Sequence, residues 1–97
     1  MANAPTARVE SNLAIHPGEF LAEELEAREM TQKQLAVAMG RPPQAINEIV
    51  RGRKAITAET AVQLEHALRI PAHFWMNLQT IYDITRARQA ERNRATA

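Results

Sequence analysis

The chain has no cysteine among its 97 residues. A disulfide framework and a thiolate metal site are therefore excluded. Long apolar runs are also missing. The longest, Leu35-Ala36-Val37-Ala38-Met39, spans five residues, against roughly 20 for a membrane-crossing helix. The opening MANAPTARVESNLA has no basic start followed by an apolar stretch, so no secretory signal is read there. The expectation is a soluble, cytoplasmic protein with no membrane partner. Aromatics are scarce: two Phe, one Trp and one Tyr. Eighteen of the 44 apolar residues are Ala, which leaves 26 larger core-formers. That core is small for a chain near the size where domains become marginal, and it suggests help from a second subunit.

Catalytic groups are equally thin. The single serine, Ser11, sits in the polar N-terminal stretch. His16, His66 and His73 have no second ligand at a metal-binding spacing, and there is no His-Glu-x-x-His. No catalytic set, metal site, cofactor or small-molecule substrate is expected, and the chain does not read as an enzyme. His16 is expected to pack or hydrogen-bond at the start of the first helix.

The net charge of +1 conceals an uneven distribution. Residues 1–29 carry two Arg against six Glu, a net of −4. Residues 30–97 carry ten Lys and Arg against five acids, a net of +5. An anionic partner for one part and a basic partner for the other would explain this; so would ordinary solvated helix faces.

Gly and Pro punctuate a helical pattern. Gly18, Gly40 and Gly52, with Pro17, Pro42, Pro43 and Pro71, sit at breaks between stretches of helical period. No sustained two-residue alternation and no Asn-Gly or Asp-Gly hairpin signal is present. The reading is all-α. Residues 1–14 form a polar, Ala-rich, flexible arm; residues 15–88 form one domain; residues 89–97 form a basic, fraying tail. Five helices are expected: residues 17–28, then 32–39 capped by Thr31, then 42–51, then one capped by Thr57 and ended before Pro71, then residue 72 to the late 80s.

The segment 31–51 is the most informative. Leu35, Ala36, Met39, Gly40, Ile46 and Ile49 have the spacing of a DNA-binding helix-turn-helix. Ala36 is small where two helices cross closely. Gly40 supplies a bend that a Cβ would oppose. Ile46 and Ile49 return the second helix onto the first. Past it, Arg51, Arg53 and Lys54 form a basic knot around Gly52, well placed for phosphate or else a solvated loop. In the last helix, Phe74 and Leu78 are expected to cover the core. Trp75, Ile81 and Tyr82 are expected to divide between core and a dimer interface, where aromatics are enriched.

These motifs resemble a known family. Ile15-His16-Pro17-Gly18-Glu19-Phe20-Leu21 resembles the HPGE opening of HigA-type (VapI-like) antitoxins. Met30-Thr31-Gln32-Lys33-Gln34-Leu35-Ala36 resembles the "LTQxxLA" of the XRE, or lambda-repressor-like, helix-turn-helix family. Ile46-Asn47-Glu48-Ile49-Val50-Arg51-Gly52 and Phe74-Trp75-Met76-Asn77-Leu78-Gln79 resemble two further stretches of that subfamily. The match spans residues 15–88.

The resemblance implies a five-helix lambda-repressor-like domain that dimerises through its C-terminal helix and binds a palindromic operator in double-stranded DNA. It implies an antitoxin that represses its own operon and neutralises a basic, RelE-like (HigB-type) messenger-RNA-cleaving toxin. By family position, Gln44, Ala45 and Asn47 are base readers, and Gln32 contacts the phosphate backbone. Gln and Asn suit adenine, and the Ala45 methyl suits thymine. Asn47 lies past the first turn and could instead reach a phosphate. Where many relatives have an apolar residue and then Ser-Arg, this chain has Arg41-Pro42-Pro43. Arg41 is expected to swing outward toward a phosphate or guanine, and the two Pro remove donors at the helix start. The acidic first helix, with Glu19, Glu23, Glu24, Glu26 and Glu29, could meet the toxin or could be a solvated face. Two other readings stay open: a solitary repressor without a toxin, and a protein-interaction module that has lost DNA binding.

Overall fold

The computed structural model describes residues 13–96, which contain five α-helices and no strand. They are α1 (Pro17–Ala27), α2 (Gln32–Met39), α3 (Pro43–Val50), α4 (Ala58–Leu68) and α5 (Ala72–Thr96). The arm expected over residues 1–14 lies, except for its last two residues, outside the described residues.

Each start has a local cause. At α1 the His16 Nδ1 accepts from the Gly18 N–H at 2.9 Å, and Pro17 supplies a preset φ at the first helical position. At α2, Thr31 Oγ1 accepts from the Gln34 N–H at 3.0 Å while Gln34 Oε1 accepts from the Thr31 N–H at 2.8 Å. This reciprocal capping box satisfies two donors that the helix cannot. Pro42 and Pro43 occupy the N-cap and first helical positions of α3, where the N–H groups lost have no intrahelical acceptor. Thr57 Oγ1 caps α4 by accepting from the Thr60 N–H at 3.2 Å.

The ends are equally specific. Gly40 takes φ +69° after α2, and the Arg41 N–H then reaches back to the Ala36 carbonyl at 2.9 Å. That left-handed turn, cheap only for Gly, sets the angle between α2 and α3. Arg69 adopts φ +63° after α4. The Arg28 side chain donates to the Leu68 carbonyl at 2.9 Å, which ties the end of α1 to the end of α4.

Leu21, Leu25, Leu35, Ala36, Ile46, Ile49, Ile56, Ala61, Leu64, Leu68 and Trp75 form one core. Gly18 is a close-approach residue: a Cβ there would overlap the Ile49 carbonyl oxygen. The HPG segment therefore lies directly on the C-terminal turn of α3.

Two expectations are corrected. Trp75 is 0% exposed in the monomer, packed in the core with its ring 5.4 Å from that of Phe20, so it has no surface to offer a second copy. Phe74 sits at the rim, its ring 5.1 Å from Phe20. The last helix also runs past the late 80s, where its end was expected: α5 continues to Thr96. No Gly or Pro follows Pro71, and Arg, Ala, Gln and Glu are strong helix formers. A helix already nucleated by packing at Trp75 then propagates cheaply.

Candidate nucleic-acid interface

The helix-turn-helix consists of α2, the Gly40 turn and α3. Ile46 and Ile49 face the core, which turns the opposite side of α3 outward. Gln44 is exposed there, and Ala45, Asn47 and Glu48 are half-buried. Asn47 Nδ2 donates to Gln32 Oε1 at 3.2 Å. One residue of the expected base-reading set is thus joined to the expected phosphate contact at the start of α2. Each amide keeps further donors or acceptors beyond that bond. The α2 N-terminus also carries partial positive charge that favours an anion.

The basic loop is fixed to α3 by its backbone. The Arg53 and Lys54 N–H groups both donate to the Glu48 carbonyl, at 2.8 and 3.2 Å. The Arg51 N–H donates to the Asn47 carbonyl at 2.9 Å. Arg51, Arg53 and Lys54 are all exposed. The loop backbone is held while three cationic side chains remain in solvent, as phosphate binding requires.

Arg41 does not swing outward. Its Nη1 donates to Gln63 Oε1 at 2.9 Å and to Thr60 Oγ1 at 3.2 Å. Two neutral acceptors on α4 outcompete solvent for a guanidinium that starts beside them. Arg41 therefore fastens the start of α3 to α4, on the wall of a cleft of about 300 Å³ also lined by Ala45, Glu48, Lys54 and Thr57. Nothing in the sequence marked Thr60 and Gln63 as its partners, since they lie 19 and 22 residues away.

The residues expected at a dimer interface separate. Ile81 is 57% exposed, and Ile84, which sequence reading missed, is 45% exposed. Three residues apart on α5, they are neighbours on the helix surface. Tyr82 is half-buried, with its ring 4.8 Å from His16, and its hydroxyl accepts from Arg86 Nη1 at 2.9 Å.

His16 is buried and acts as expected at the start of α1. Burial pushes its imidazole below the usual value of 6.5; Asp83, a hydrogen bond to the Lys54 backbone and Glu19 oppose that shift. Gln79 is a second residue that sequence reading missed. Only 5% exposed, its Oε1 accepts from the Ile56 N–H at 2.7 Å and its Nε2 donates to Asp83 Oδ1 at 3.0 Å. The available signal was its place one turn after Trp75, a polar residue on a buried face. Among the described residues no group of three or more His, Cys, Asp or Glu could hold a metal ion. No described helix is long and apolar enough to cross a membrane.

Comparison with known proteins gives this geometry its relatives. The helix-turn-helix family model HTH_3 matches residues 21–75. Virulence-associated protein I of Dichelobacter nodosus is 46% identical over 77 residues, covering 78% of this chain and 71% of that protein. An addiction module antidote protein of the HigA family from Coxiella burnetii superposes with a TM-score of 0.78 at 39% identity, covering 84% of this chain and 89% of that one. The Pseudomonas aeruginosa antitoxin HigA, solved with the higBA promoter, gives a TM-score of 0.79 at 34% identity, covering 86% and 91%.

Proposed function

The chain belongs to the HigA-type, VapI-like branch of the XRE helix-turn-helix family, and from that premise we propose that it is a DNA-binding antitoxin. It binds the promoter of its own operon as a homodimer and represses it. It also binds and neutralises a basic toxin of the RelE-like, messenger-RNA-cleaving class. One observation carries the DNA half. Gln32, the outward side of α3 and the basic loop are a single bonded unit, joined by the Gln32–Asn47 amide pair and by the two loop N–H groups on Glu48. Gln44, Ala45 and Asn47 read bases; Gln32, Arg51, Arg53 and Lys54 hold phosphates. Arg41 contributes by fixing α3 against α4.

The Pro42-Pro43 pair, which would best support a module that has lost DNA binding, does not disrupt the start of α3. Both Pro lie where a helix tolerates them, so α3 starts cleanly and Gln44 stays exposed. A dimer formed on the Ile81–Ile84 strip would present two copies of α3 to successive turns of DNA, about 34 Å apart, and so favour a palindrome.

The test is fluorescence anisotropy with DNA from upstream of the gene and with scrambled DNA, over a salt series. The expected result is preference for the native sequence with a steep salt slope, close to one unit per phosphate neutralised. Equal, weak binding to both would move the assignment to a protein-interaction module. Co-purification of a small basic protein encoded beside this gene tests the antitoxin half. Its absence would leave a solitary repressor.

A further inference from the structure

The loop that carries Arg53 and Lys54 is seated from three sides. Its first half hangs on the last carbonyls of α3, those of Asn47, Glu48 and Ile49. Beneath Gly52 lies the His16 ring, close enough that a Cβ at Gly52 would stand 3.6 Å from its Cγ. Its far end is held at Ile56, whose side chain is buried and whose N–H donates to Gln79 Oε1 at 2.7 Å. Gln79 comes from α5, 23 residues away. Its other amide end is fixed in turn by Asp83.

A glutamine inside a packed face is costly unless both ends of its amide are used. Here both are, and one of them is spent on the loop. No helix or strand ladder supplies that acceptor for Ile56. Without it, the peptide joining the basic knot to the Thr57 cap would have to move toward solvent.

We infer that Gln79 is a positioning residue for DNA binding: from α5 it holds loop 51–57 in place, so that Arg53 and Lys54 project beside α3. Gln79 touches no DNA itself and acts through those two cations. This inference rests on the DNA-binding reading proposed above. It also makes α5 a physical link between the Ile81–Ile84 strip and the phosphate-binding loop, since Gln79, Ile81 and Asp83 lie within two turns of one helix.

The experiment is a double-mutant cycle on the full chain, read by anisotropy with duplex DNA over a salt series and by amide exchange in the free protein. Gln79→Met removes the acceptor at similar volume. It is expected to weaken DNA binding about tenfold and to shallow the salt slope by about one unit for each phosphate no longer neutralised. The Ile56 amide should exchange faster. In a background already carrying Arg53→Ala and Lys54→Ala, Gln79→Met should change affinity by less than about twofold, because coupled sites are non-additive. Gln79→Glu combined with Asp83→Asn restores an acceptor at Ile56 and a donor between the pair, and should recover most of the affinity. An additive cycle overturns the assignment, as does a folded Gln79→Met variant with unchanged Ile56 exchange. No binding to any duplex DNA by the unsubstituted chain overturns the functional reading and this inference with it. Binding together with an additive cycle overturns this inference alone.

Discussion

At the residue scale, His16 joins stability to pH. Its neutral ring accepts from the Gly18 N–H, and protonation of Nδ1 would destroy that acceptor. Burial also disfavours the imidazolium, while Asp83 and Glu19 favour it, and the net direction is downward from 6.5. The unfolded chain therefore takes up this proton first as pH falls through about 6.5, and folding stability declines until the folded protein is protonated as well. As pH falls from neutrality through about 6.5, thermal or urea unfolding should show declining stability in the native sequence. His16→Asn keeps a cap acceptor and removes the titration, so it should flatten this part of the slope. Identical slopes in both proteins would show that His16 does not control it. The role of His16 as a local cap was legible in the sequence. Its packing against the basic loop was not, because that depends on how α1 lies across the end of α3.

At the scale of helices, the punctuation was legible and the long-range fastening was not. Thr31, Gly40 and Thr57 announced their boundaries because caps and left-handed turns are local chemistry. The length of α5 was under-read, since basic composition suggests fraying where propensity carries the helix on. Burial along α5 was misassigned at Trp75, because a helical stripe shows which side is apolar and not what covers it. With Trp75 buried and Tyr82 half-buried against His16, Ile81 and Ile84 are the most exposed large apolar residues described on α5. Ile81→Glu together with Ile84→Glu should give a monomer by light scattering, with helical content preserved. A doubly substituted protein that remained a dimer would place the interface elsewhere. Trp75 is no probe of association, since its truncation would remove a core aromatic and cost about 3–5 kcal/mol of folding stability.

At the scale of the whole molecule, acidic and basic side chains are carried by different elements, although Glu19 and Arg51 line one cleft. Five Glu lie on or just beyond α1, and three exposed cations follow α3. The helix-turn-helix could be read from spacing: Leu35, Ala36, Ile46 and Ile49 are all buried, and Gly40 makes the turn; the lambda-repressor-like domain around it came with the family resemblance. The candidate site was legible where it consists of adjacent residues, as with Arg51, Arg53 and Lys54. It was illegible where it depends on α4 and α5: Arg41 is claimed by Thr60 and Gln63, and loop 51–57 is held by Gln79. Phosphate contacts set affinity and its salt dependence, whereas base edges set preference between sequences. Everything proposed for DNA turns on whether α3 reads bases. The deciding quantity is the ratio of affinities for native upstream DNA and scrambled DNA, taken with the unsubstituted chain and with Gln44→Ala plus Asn47→Ala. The ratio should collapse toward one in the double variant while the salt slope stays within about one unit, because Arg51, Arg53 and Lys54, the cations proposed to hold phosphates, are unchanged. An unchanged ratio would contradict base reading by α3 through Gln44 and Asn47, and would remove both as base readers.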